Sequence, residues 1–268
     1  MPVSPIRGIR TFRYAVFFDG VDDYARIEPF IVYGWSEITI QEWIYAYHPK
    51  ANLEASKFNM IGSYGVDLVA FLHTTDGKFD YTVLDIVWAT RKPDNTRQDY
   101  AFSWYAYRNR WVNLAVGFTT TRELSFWVNG AKVSSASVPS NYITILEMDP
   151  KTATYPDRFT RFVLGANVLF YERITMMQSS LLIYSRALSE DEIIHNMVYP
   201  WNPVRDGLKV WLLAHPDHVR DIDGDGVLEW VDLSGNGNHA KLYGARLVEI
   251  IKTPSRILTP MRATPVVR

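Results

Sequence analysis

Apolar residues recur at every second position in many short runs of this sequence, and that alternation limits the possible fold more than any other feature. Successive side chains of a β-strand point to opposite faces, so a strand with one buried face carries apolar residues with a period of two. In the run at residues 38–45, Ile38, Ile40 and Ile44 share one face, and Trp43 and Tyr45 lie on the opposite face. The pattern predicts an all-β protein. The clearest runs contain Phe12, Tyr14, Val16 and Phe18; Ile38, Ile40 and Ile44; Val112, Leu114, Val116 and Phe118; and Leu124, Phe126 and Val128.

Two local signals indicate turns and a helix among these strands. Asn129 and Gly130 follow the last run, and both residues tolerate the positive φ angles of a tight turn, so they predict a β-hairpin. One short helix is predicted to follow Ser189. This serine can cap the first turn while Glu192 reaches back to complete a capping box.

Composition limits the architecture and the partners of the chain. With 268 residues, of which 47% are hydrophobic, it can build one large β-sandwich with appendages or two small domains. Its formal net charge of −1 provides no overall field that would attract nucleic acid or an acidic membrane. There is no cysteine, which excludes disulfides, thiolate metal sites and cysteine nucleophiles.

Two phrases near the ends of the chain carry a family resemblance. Residues 18–24 read Phe-Asp-Gly-Val-Asp-Asp-Tyr, and residues 232–239 read Asp-Leu-Ser-Gly-Asn-Gly-Asn-His. Both resemble signatures of the laminin G-like, concanavalin A-type jelly-roll family, in which the Ser-Gly-Asn-Gly-Asn-His phrase usually comes first. Here the order is reversed, which indicates either a circularly permuted sandwich or one domain followed by the opening strands of a second.

Further phrases between these two resemble successive strands of the same family, in the same order. They lie at residues 38–44, 110–116 and 124–130, and residues 182–193 are similar to the family's closing strand and short helix. The resemblance covers residues 12–198. It implies a concanavalin A-like jelly-roll β-sandwich with one short helix, in which two antiparallel sheets pack face to face.

The chain divides into four segments on this interpretation. Residues 1–11 form an N-terminal arm, and residues 12–198 form the laminin G-like sandwich. Residues 199–251 are too few for a stable separate domain, so we expect them to complete the same sandwich by covering an exposed edge. Residues 252–268 contain three prolines and no acidic residue, which is typical of an extended arm.

A twelve-residue phrase in the third segment is close to a calcium-binding loop. Such a loop supplies oxygen ligands from positions 1, 3, 5, 7, 9 and 12 around a glycine at position 6. Here Gly226 occupies position 6, and position 12 carries aspartate where glutamate is usual. The phrase predicts a structural Ca²⁺ site, with a solvated acidic turn as the alternative. The predicted ligands are Asp221, Asp223, Asp225, Val227, Glu229 and Asp232.

Three other polar phrases are interpreted as turns or loop surface. The three aspartates within residues 19–23 could bind a cation, but a plain turn is the favoured interpretation. His215 and His218 have no third zinc ligand at a suitable spacing. Residues 235–240 match a dinucleotide fingerprint in letters alone, because no strand and helix of a βαβ unit flank them.

Trp104, Tyr105 and Tyr107 are the candidate ligand-binding residues. They lie in a stretch rich in aromatic residues and arginine between predicted strands. Aromatic rings in a surface loop can form a platform for sugars, although rings in such a sandwich also serve as core or rim residues. The stretch therefore predicts a glycan-binding loop.

Catalysis is not expected, and no catalytic residue is predicted. Retaining glycan hydrolysis needs two carboxyl groups about 5 Å apart, and the Glu-x-Asp-x-x-Glu spacing that places them on one strand in hydrolases of this fold is absent. Fold alone does not define an activity.

Two functions are compatible with the sequence. The first is a non-catalytic structural or adhesion protein of an extracellular assembly, such as a virion or a surface filament, whose terminal arms contact neighbouring subunits. The alternative is a monomeric, calcium-dependent, lectin-like module that binds glycans. Both place the protein outside the cell or on a virion surface. No signal peptide is recognised in this chain, and neither a membrane span nor a nucleic-acid partner is expected.

Overall fold

The computed structural model describes residues 12–46, 57–63, 66–72, 84–92, 97–103, 109–153, 159–166 and 175–250. In these residues the chain forms two antiparallel β-sheets, one α-helix and one short 3-10 helix. The predicted all-β, jelly-roll sandwich with one short helix is therefore confirmed. The two predicted arms, residues 1–11 and 252–268, lie outside the described residues.

The first sheet has eight strands, which are β1 (Tyr14–Asp19), β3 (Ile38–Ala46), β8 (Trp111–Phe118), β9 (Glu123–Val128), β10 (Ala131–Ser137), β12 (Thr175–Tyr184), β13 (Leu208–Leu213) and β17 (Arg246–Glu249). Across the sheet they follow the order β10, β9, β8, β3, β12, β1 and β17. Strand β13 pairs with the second half of β12, on the side where β1 pairs with the first half. The predicted hairpin at Asn129 and Gly130 joins β9 to β10.

The second sheet has nine strands, which are β2 (Tyr24–Ile27), β4 (Lys57–Ser63), β5 (Val66–Leu72), β6 (Leu84–Arg91), β7 (Arg97–Ser103), β11 (Phe162–Leu164), β14 (Val219–Arg220), β15 (Glu229–Trp230) and β16 (Ala240–Tyr243). Their order is β14, β15, β16, β2, β11, β4, β5, β6 and β7. Each of its strand pairs is antiparallel, so the sheet matches the expected architecture.

Strands from the C-terminal segment join both sheets. In the first sheet β13 pairs with β12 and β17 pairs with β1, while in the second sheet β16 pairs with β2. Beside β1, the backbone N–H of Ile250 donates to the carbonyl of Arg13 at 2.7 Å. Strands β16 and β17 are separated by a turn at Gly244, whose φ of 74° favours glycine.

The main hydrophobic core lies between the two sheets. Ile38, Ile40 and Ile44 of β3 point into it and are at most 2% exposed. The facing sheet contributes Trp230 and Phe162, which are fully buried. Burying side chains of this size contributes on the order of 2 kcal/mol each, so the alternation seen in the sequence corresponds to the main stabilising contacts.

One carboxyl group lies within this core. Glu42 takes the inward position between Ile40 and Ile44 and is 2% exposed. Its Oε2 accepts a hydrogen bond from Nε2 of Gln178 at 2.6 Å. In the described part of the chain, Glu42 Oε1 and Gln178 Oε1 have no hydrogen-bond partner. Burial raises the pKa of Glu42 to about 8, so the group is mainly protonated at neutral pH.

The helix α1 (Glu190–Val198) packs on the outer face of the first sheet. Its capping box is confirmed, since the backbone N–H of Glu192 donates to the Ser189 hydroxyl and Glu192 Oε2 accepts from the Ser189 N–H at 2.9 Å. Gln41 and Trp43 of β3 donate to carbonyls of the helix at 2.8 and 3.1 Å. These bonds fix the helix across the sheet. A second hydrophobic cluster fills the space between them and contains Ala115, Trp127, Leu182, Tyr184, Leu188, Ile193, Leu208 and Trp211.

Candidate functional site

Residues 221–228, here called the acidic loop, connect β14 to β15. Asp221, Asp223 and Asp225 each bring a carboxylate oxygen within 4.8 Å of the others. Asp221 also accepts hydrogen bonds from the backbone N–H groups of Gly224, at 2.7 Å, and Gly226, at 3.0 Å. Three of the predicted calcium ligands therefore meet in one exposed cluster.

Lys241 of β16 places its ammonium group among these carboxylates. Its Nζ lies 2.7 Å from Asp225 Oδ2 and 3.0 Å from Asp223 Oδ2. It also lies 3.6 Å from Oε1 of Glu229, a side chain whose other oxygen accepts from the Ile222 N–H at 2.7 Å. The hydrogen bonds to Asp225 and Asp223 raise the pKa of Lys241 above its ordinary value.

Asp232, the predicted ligand at position 12, belongs to a different set of contacts. Its Oδ1 accepts from the backbone N–H groups of Trp211, at 2.9 Å, and Ser234, at 3.0 Å. Its Oδ2 accepts from the Ser234 hydroxyl at 2.7 Å and from the Asn238 N–H at 2.9 Å. With 6% exposure, this carboxylate ties β13 to the turn that follows β15.

Most of the predicted calcium ligands have other partners in the described contacts. Calcium takes six to eight oxygen ligands, including a carboxylate from position 12. Asp232 uses both oxygens elsewhere, and the ammonium of Lys241 contacts the carboxylates of Asp223, Asp225 and Glu229. Calcium stays a prediction from the sequence, and the contacts favour another cation.

The glycine-rich phrase at residues 234–239 forms a turn around Asp232. The Asn236 and Asn238 amides donate to the carbonyl of Lys209 at 3.2 and 2.8 Å. The His239 ring accepts from the Asp232 N–H at 2.9 Å. These polar side chains connect the turn to β13, so the phrase has a structural role here.

Asp19, Asp22 and Asp23 lie at the turn between β1 and β2. Asp19 Oδ1 accepts from the N–H groups of Val21, at 2.7 Å, and Asp22, at 3.3 Å, and Asp23 Oδ2 accepts from the Asp19 N–H at 2.9 Å. Three carboxylates also approach one another at this rim. Burial raises the pKa of Asp23 above its ordinary value.

His215 caps the 3-10 helix Pro216–His218, and His218 is the last residue of that helix. His215 Nδ1 accepts from the Asp217 N–H at 3.2 Å, and the ring of His218 lies 3.2 Å from the carbonyl of Leu213. Both histidines therefore have local partners in a turn.

The predicted sugar platform lies outside the described residues. Trp104, Tyr105 and Tyr107 belong to the gap between residues 103 and 109, so their role stays a prediction. A different aromatic site lies on the outer face of the first sheet.

This second site is a pocket of about 230 Å³ beside the start of α1. Here it is called the Trp127 pocket. One wall comes from strands β8, β9 and β10, and the other from the segment that leads into the helix. Its lining residues are Gly117, Thr119, Glu123, Ser125, Trp127, Lys132, Ala187, Leu188, Ser189 and Glu190.

A hydrogen-bonded group of polar side chains surrounds the pocket. The Ser125 hydroxyl donates to Glu123 Oε1 at 3.0 Å, and Lys132 Nζ lies 3.3 Å from the same oxygen. The bond from Ser125, followed by that from Lys132, holds the pKa of Glu123 below its ordinary value. Lys132 Nζ also lies 5.1 Å from the centroid of the Trp127 ring. The pocket therefore combines an aromatic ring with an ionised carboxylate, an ammonium group and hydroxyls.

The position of Trp127 follows from the pleat of two neighbouring strands. Phe126 points into the main core, so Trp127 takes the outward position, where its side chain is 7% exposed. A Cβ atom at Gly117 of β8 would lie 3.2 Å from the ring, so glycine leaves the room that the ring needs. In the described part of the chain, the buried Nε1 of Trp127 has no hydrogen-bond partner.

Sequence reasoning missed this pocket, although one signal was present. Trp127 lies in a run that was interpreted as a family strand, and its outward position follows from the alternation with Leu124, Phe126 and Val128. A tryptophan on the outward face beside a serine is the signal that could have indicated the site.

A further aromatic pair lies beyond the other end of α1. Tyr199 and Trp201 are 47% and 41% exposed, and their rings are perpendicular at 6.1 Å. Between them, the carbonyl of Pro200 accepts from Nε1 of Trp211 at 3.0 Å. This exposed pair is a second aromatic surface, at the end of α1 opposite the Trp127 pocket.

Comparisons with known proteins extend the fold assignment. No protein-family model matches the sequence, and no curated protein matches it. A crystal structure of a candidate carbohydrate-binding protein from Bacteroides ovatus is similar over 89% of this chain and 60% of its own, with 17% identity and a TM-score of 0.60. This chain therefore spans 60% of the length of that structure. At this identity the likeness shows the fold.

Two more distant structures share lower similarity. A heptameric pentraxin from Limulus polyphemus matches 69% of this chain and 82% of its own, with 9% identity and a TM-score of 0.43. The receptor-binding domain of botulinum neurotoxin type G matches 68% of this chain and 46% of its own, with 10% identity and a TM-score of 0.42. Among the described residues, no helix has the length and apolar character needed to cross a bilayer.

Proposed function

We propose that this protein is a non-catalytic carbohydrate-binding module and that the Trp127 pocket is its sugar site. The observation that carries the proposal is the convergence of an aromatic ring and hydrogen-bonded polar side chains in one pocket on the sheet face. Small-molecule sites combine an apolar lining with a few placed polar groups in this way. A pyranose ring presents the complementary chemistry, with apolar C–H faces and a rim of hydroxyls.

The polar rim supports a ligand that both donates and accepts hydrogen bonds. An ionised Glu123 only accepts, whereas Lys132 only donates and Ser125 can do either. A sugar with adjacent hydroxyls can donate to Glu123 and accept from Lys132 at the same time. Because Glu123 and Glu190 outnumber Lys132 among the charged lining residues, the proposal favours neutral sugars over acidic ones.

Lys132 must also move when a ring occupies the pocket. Its side chain is 41% exposed and lies over Trp127, so it can swing into solvent while remaining within reach of Glu123. The free protein then keeps the aromatic ring covered by its own ammonium group, and the ligand takes that place.

The first test replaces Glu123 by glutamine. We expect the affinity for the best neutral glycan found on an array to fall by about tenfold, because a hydrogen bond to a charged acceptor contributes more than one to an amide. Isothermal titration calorimetry gives the affinity, and thermal melting shows whether the variant remains folded.

Two variants serve as controls for this test. Glu28→Gln removes a carboxylate that pairs with Arg26 at 3.0 Å, away from the pocket, and Trp201→Ala removes an exposed ring near the other end of the helix. Both should bind like the wild type. If Trp201→Ala abolishes binding while Glu123→Gln does not, the sugar site is the Tyr199 and Trp201 pair and the Trp127 pocket is refuted.

An assembly role is the second proposal, and one feature of the described residues supports it. Strands β10 and β17 are the edges of the first sheet, and edge strands can pair with a strand from another subunit. The arms that would supply such strands, residues 1–11 and 252–268, are outside the described residues. Deleting residues 252–268 should then lower the solution mass measured by light scattering to that of one chain. A full-length protein that already has the mass of one 30.9 kDa chain would contradict this role.

A further inference from the structure

The acidic loop concentrates negative charge at a point where a cation is needed. Asp221, Asp223 and Asp225 approach within 4.8 Å through their carboxylate oxygens, and Glu229 lies next to them at the base of the loop. Like charges this close repel each other unless a positive charge lies between them. The contacts of Lys241 identify a cation that the chain itself supplies.

The pairing of β15 with β16 determines where this cation lies. Glu229 and Lys241 are directly opposite each other in the antiparallel ladder, so their side chains share one face of the sheet. From there the ammonium group reaches Asp225 at 2.7 Å and Asp223 at 3.0 Å. Its position is therefore a consequence of strand register.

An ammonium group suits this set of acceptors. It has three donors and no acceptor, and it lies near one oxygen from each of three carboxylates. The second oxygens of these groups accept from backbone N–H groups of Val227, Ile222 and, at 3.3 Å, Asp225. Each of these three carboxylates therefore has the ammonium of Lys241 near one oxygen and a backbone N–H bonded to the other.

We infer that Lys241 is the resident cation of the acidic loop and that it takes the place which the sequence pattern assigns to calcium. The loop then keeps its conformation without a metal ion, and calcium has to displace Lys241 before it can contact Asp223 and Asp225. A lysine tethered to the adjacent strand has a high effective concentration, so it is a strong competitor.

The experiment compares the wild type with Lys241→Met, which removes the ammonium group and keeps most of the apolar stem. Thermal melting is measured for each protein in EDTA and in excess CaCl2. We expect the wild type to melt at the same temperature in both buffers. The variant should melt about 3 °C lower in EDTA, because charge repulsion in the loop is no longer balanced, and calcium should restore the loss.

Calcium titration by calorimetry gives a second readout. Lys241→Met should bind calcium at least about tenfold more tightly than the wild type, because the competing ammonium group is gone. Lys151→Met is the matched control, since Lys151 is exposed and its side chain has no ion pair among the described contacts. This control should follow the wild type in both measurements.

The possible results separate the alternatives. A wild type that melts lower in EDTA than in calcium would show that calcium is the resident cation and would overturn the inference. A Lys241→Met variant that melts like the wild type in EDTA would overturn it as well, because the ammonium group would then not be needed. Neither result depends on sugar binding, so the proposed function is tested separately.

Discussion

Replacement of Asp232 by alanine is expected to lower the free energy of unfolding by about 4 kcal/mol. Four donors converge on its carboxylate, from Trp211, Ser234 twice and Asn238. Leaving buried donors without an acceptor costs about 1 to 3 kcal/mol for each group that cannot reach water. The buried N–H of Trp211 on β13 cannot turn toward solvent without breaking its strand, so the loss is expected to be large.

Urea unfolding followed by tryptophan fluorescence would measure this effect. Asp217→Ala is a suitable control, because the Asp217 side chain is 83% exposed and should change stability by less than about 0.5 kcal/mol. Asp232→Asn should also be destabilised, since its amide nitrogen would face two of the four donors. A cost below about 1 kcal/mol for Asp232→Ala would show that the turn does not depend on this carboxylate.

Glu42→Gln is expected to make the protein more stable at alkaline pH. The folded protein keeps Glu42 protonated up to a pKa of about 8, whereas the unfolded chain loses this proton near the ordinary value of 4.5. Between these values the folded protein binds one more proton than the unfolded chain. Stability of the wild type therefore falls by about 1.4 kcal/mol per pH unit in this window and levels off above it.

The variant removes this dependence because glutamine does not ionise. Its amide can also donate to Gln178 Oε1, which has no partner among the described residues. Urea unfolding at a series of pH values should show equal stabilities below pH 4.5 and a difference on the order of 4 kcal/mol near pH 8. Glu28→Gln should keep the wild-type profile. Parallel profiles for the wild type and Glu42→Gln would contradict the raised pKa.

The alternation of apolar residues predicted the fold class because burial on one face of a strand requires it. Ile38, Ile40 and Ile44 show this directly, since all three point into the main core. Glu42 occupies the same face and breaks the pattern, and no local pattern of residues predicts a carboxyl group inside the core. Its environment depends on Gln178, which is 136 residues away along the chain.

The candidate site was harder to predict because contacts between distant strands define it. The calcium phrase specified Asp221 to Asp232 by spacing, but spacing could not show that Lys241 would lie opposite Glu229. Similarly, the Trp127 pocket depends on the helix start at Ser189 lying beside β9, which no local pattern indicates. Strand register places Lys241 beside the acidic loop, and packing of the helix start against β9 forms the Trp127 pocket. Residue type alone specifies neither.

The two family phrases illustrate the same limit. Residues 18–24 run from the end of β1 to the start of β2, and residues 232–239 precede β16. Strands β16 and β2 pair antiparallel in the second sheet, with Tyr243 opposite Tyr24, so the two phrases flank opposite ends of one strand pair. Order along the chain could not reveal this, because an antiparallel sheet can bring either order to the same pair of strands.

The pairing of β17 with β1 determines where the chain enters and leaves the described fold relative to the Trp127 pocket. Arg13 and Ile250 are joined by a backbone hydrogen bond, so the chain enters and leaves the described fold at one corner. The Trp127 pocket lies among β8, β9 and β10, at the opposite edge of the same sheet. Five strand spacings separate β9 from β17, a distance of roughly 25 Å. A partner attached close to Arg13 or Ile250 would therefore lie at the sheet edge opposite the pocket and would leave the pocket open to large glycans.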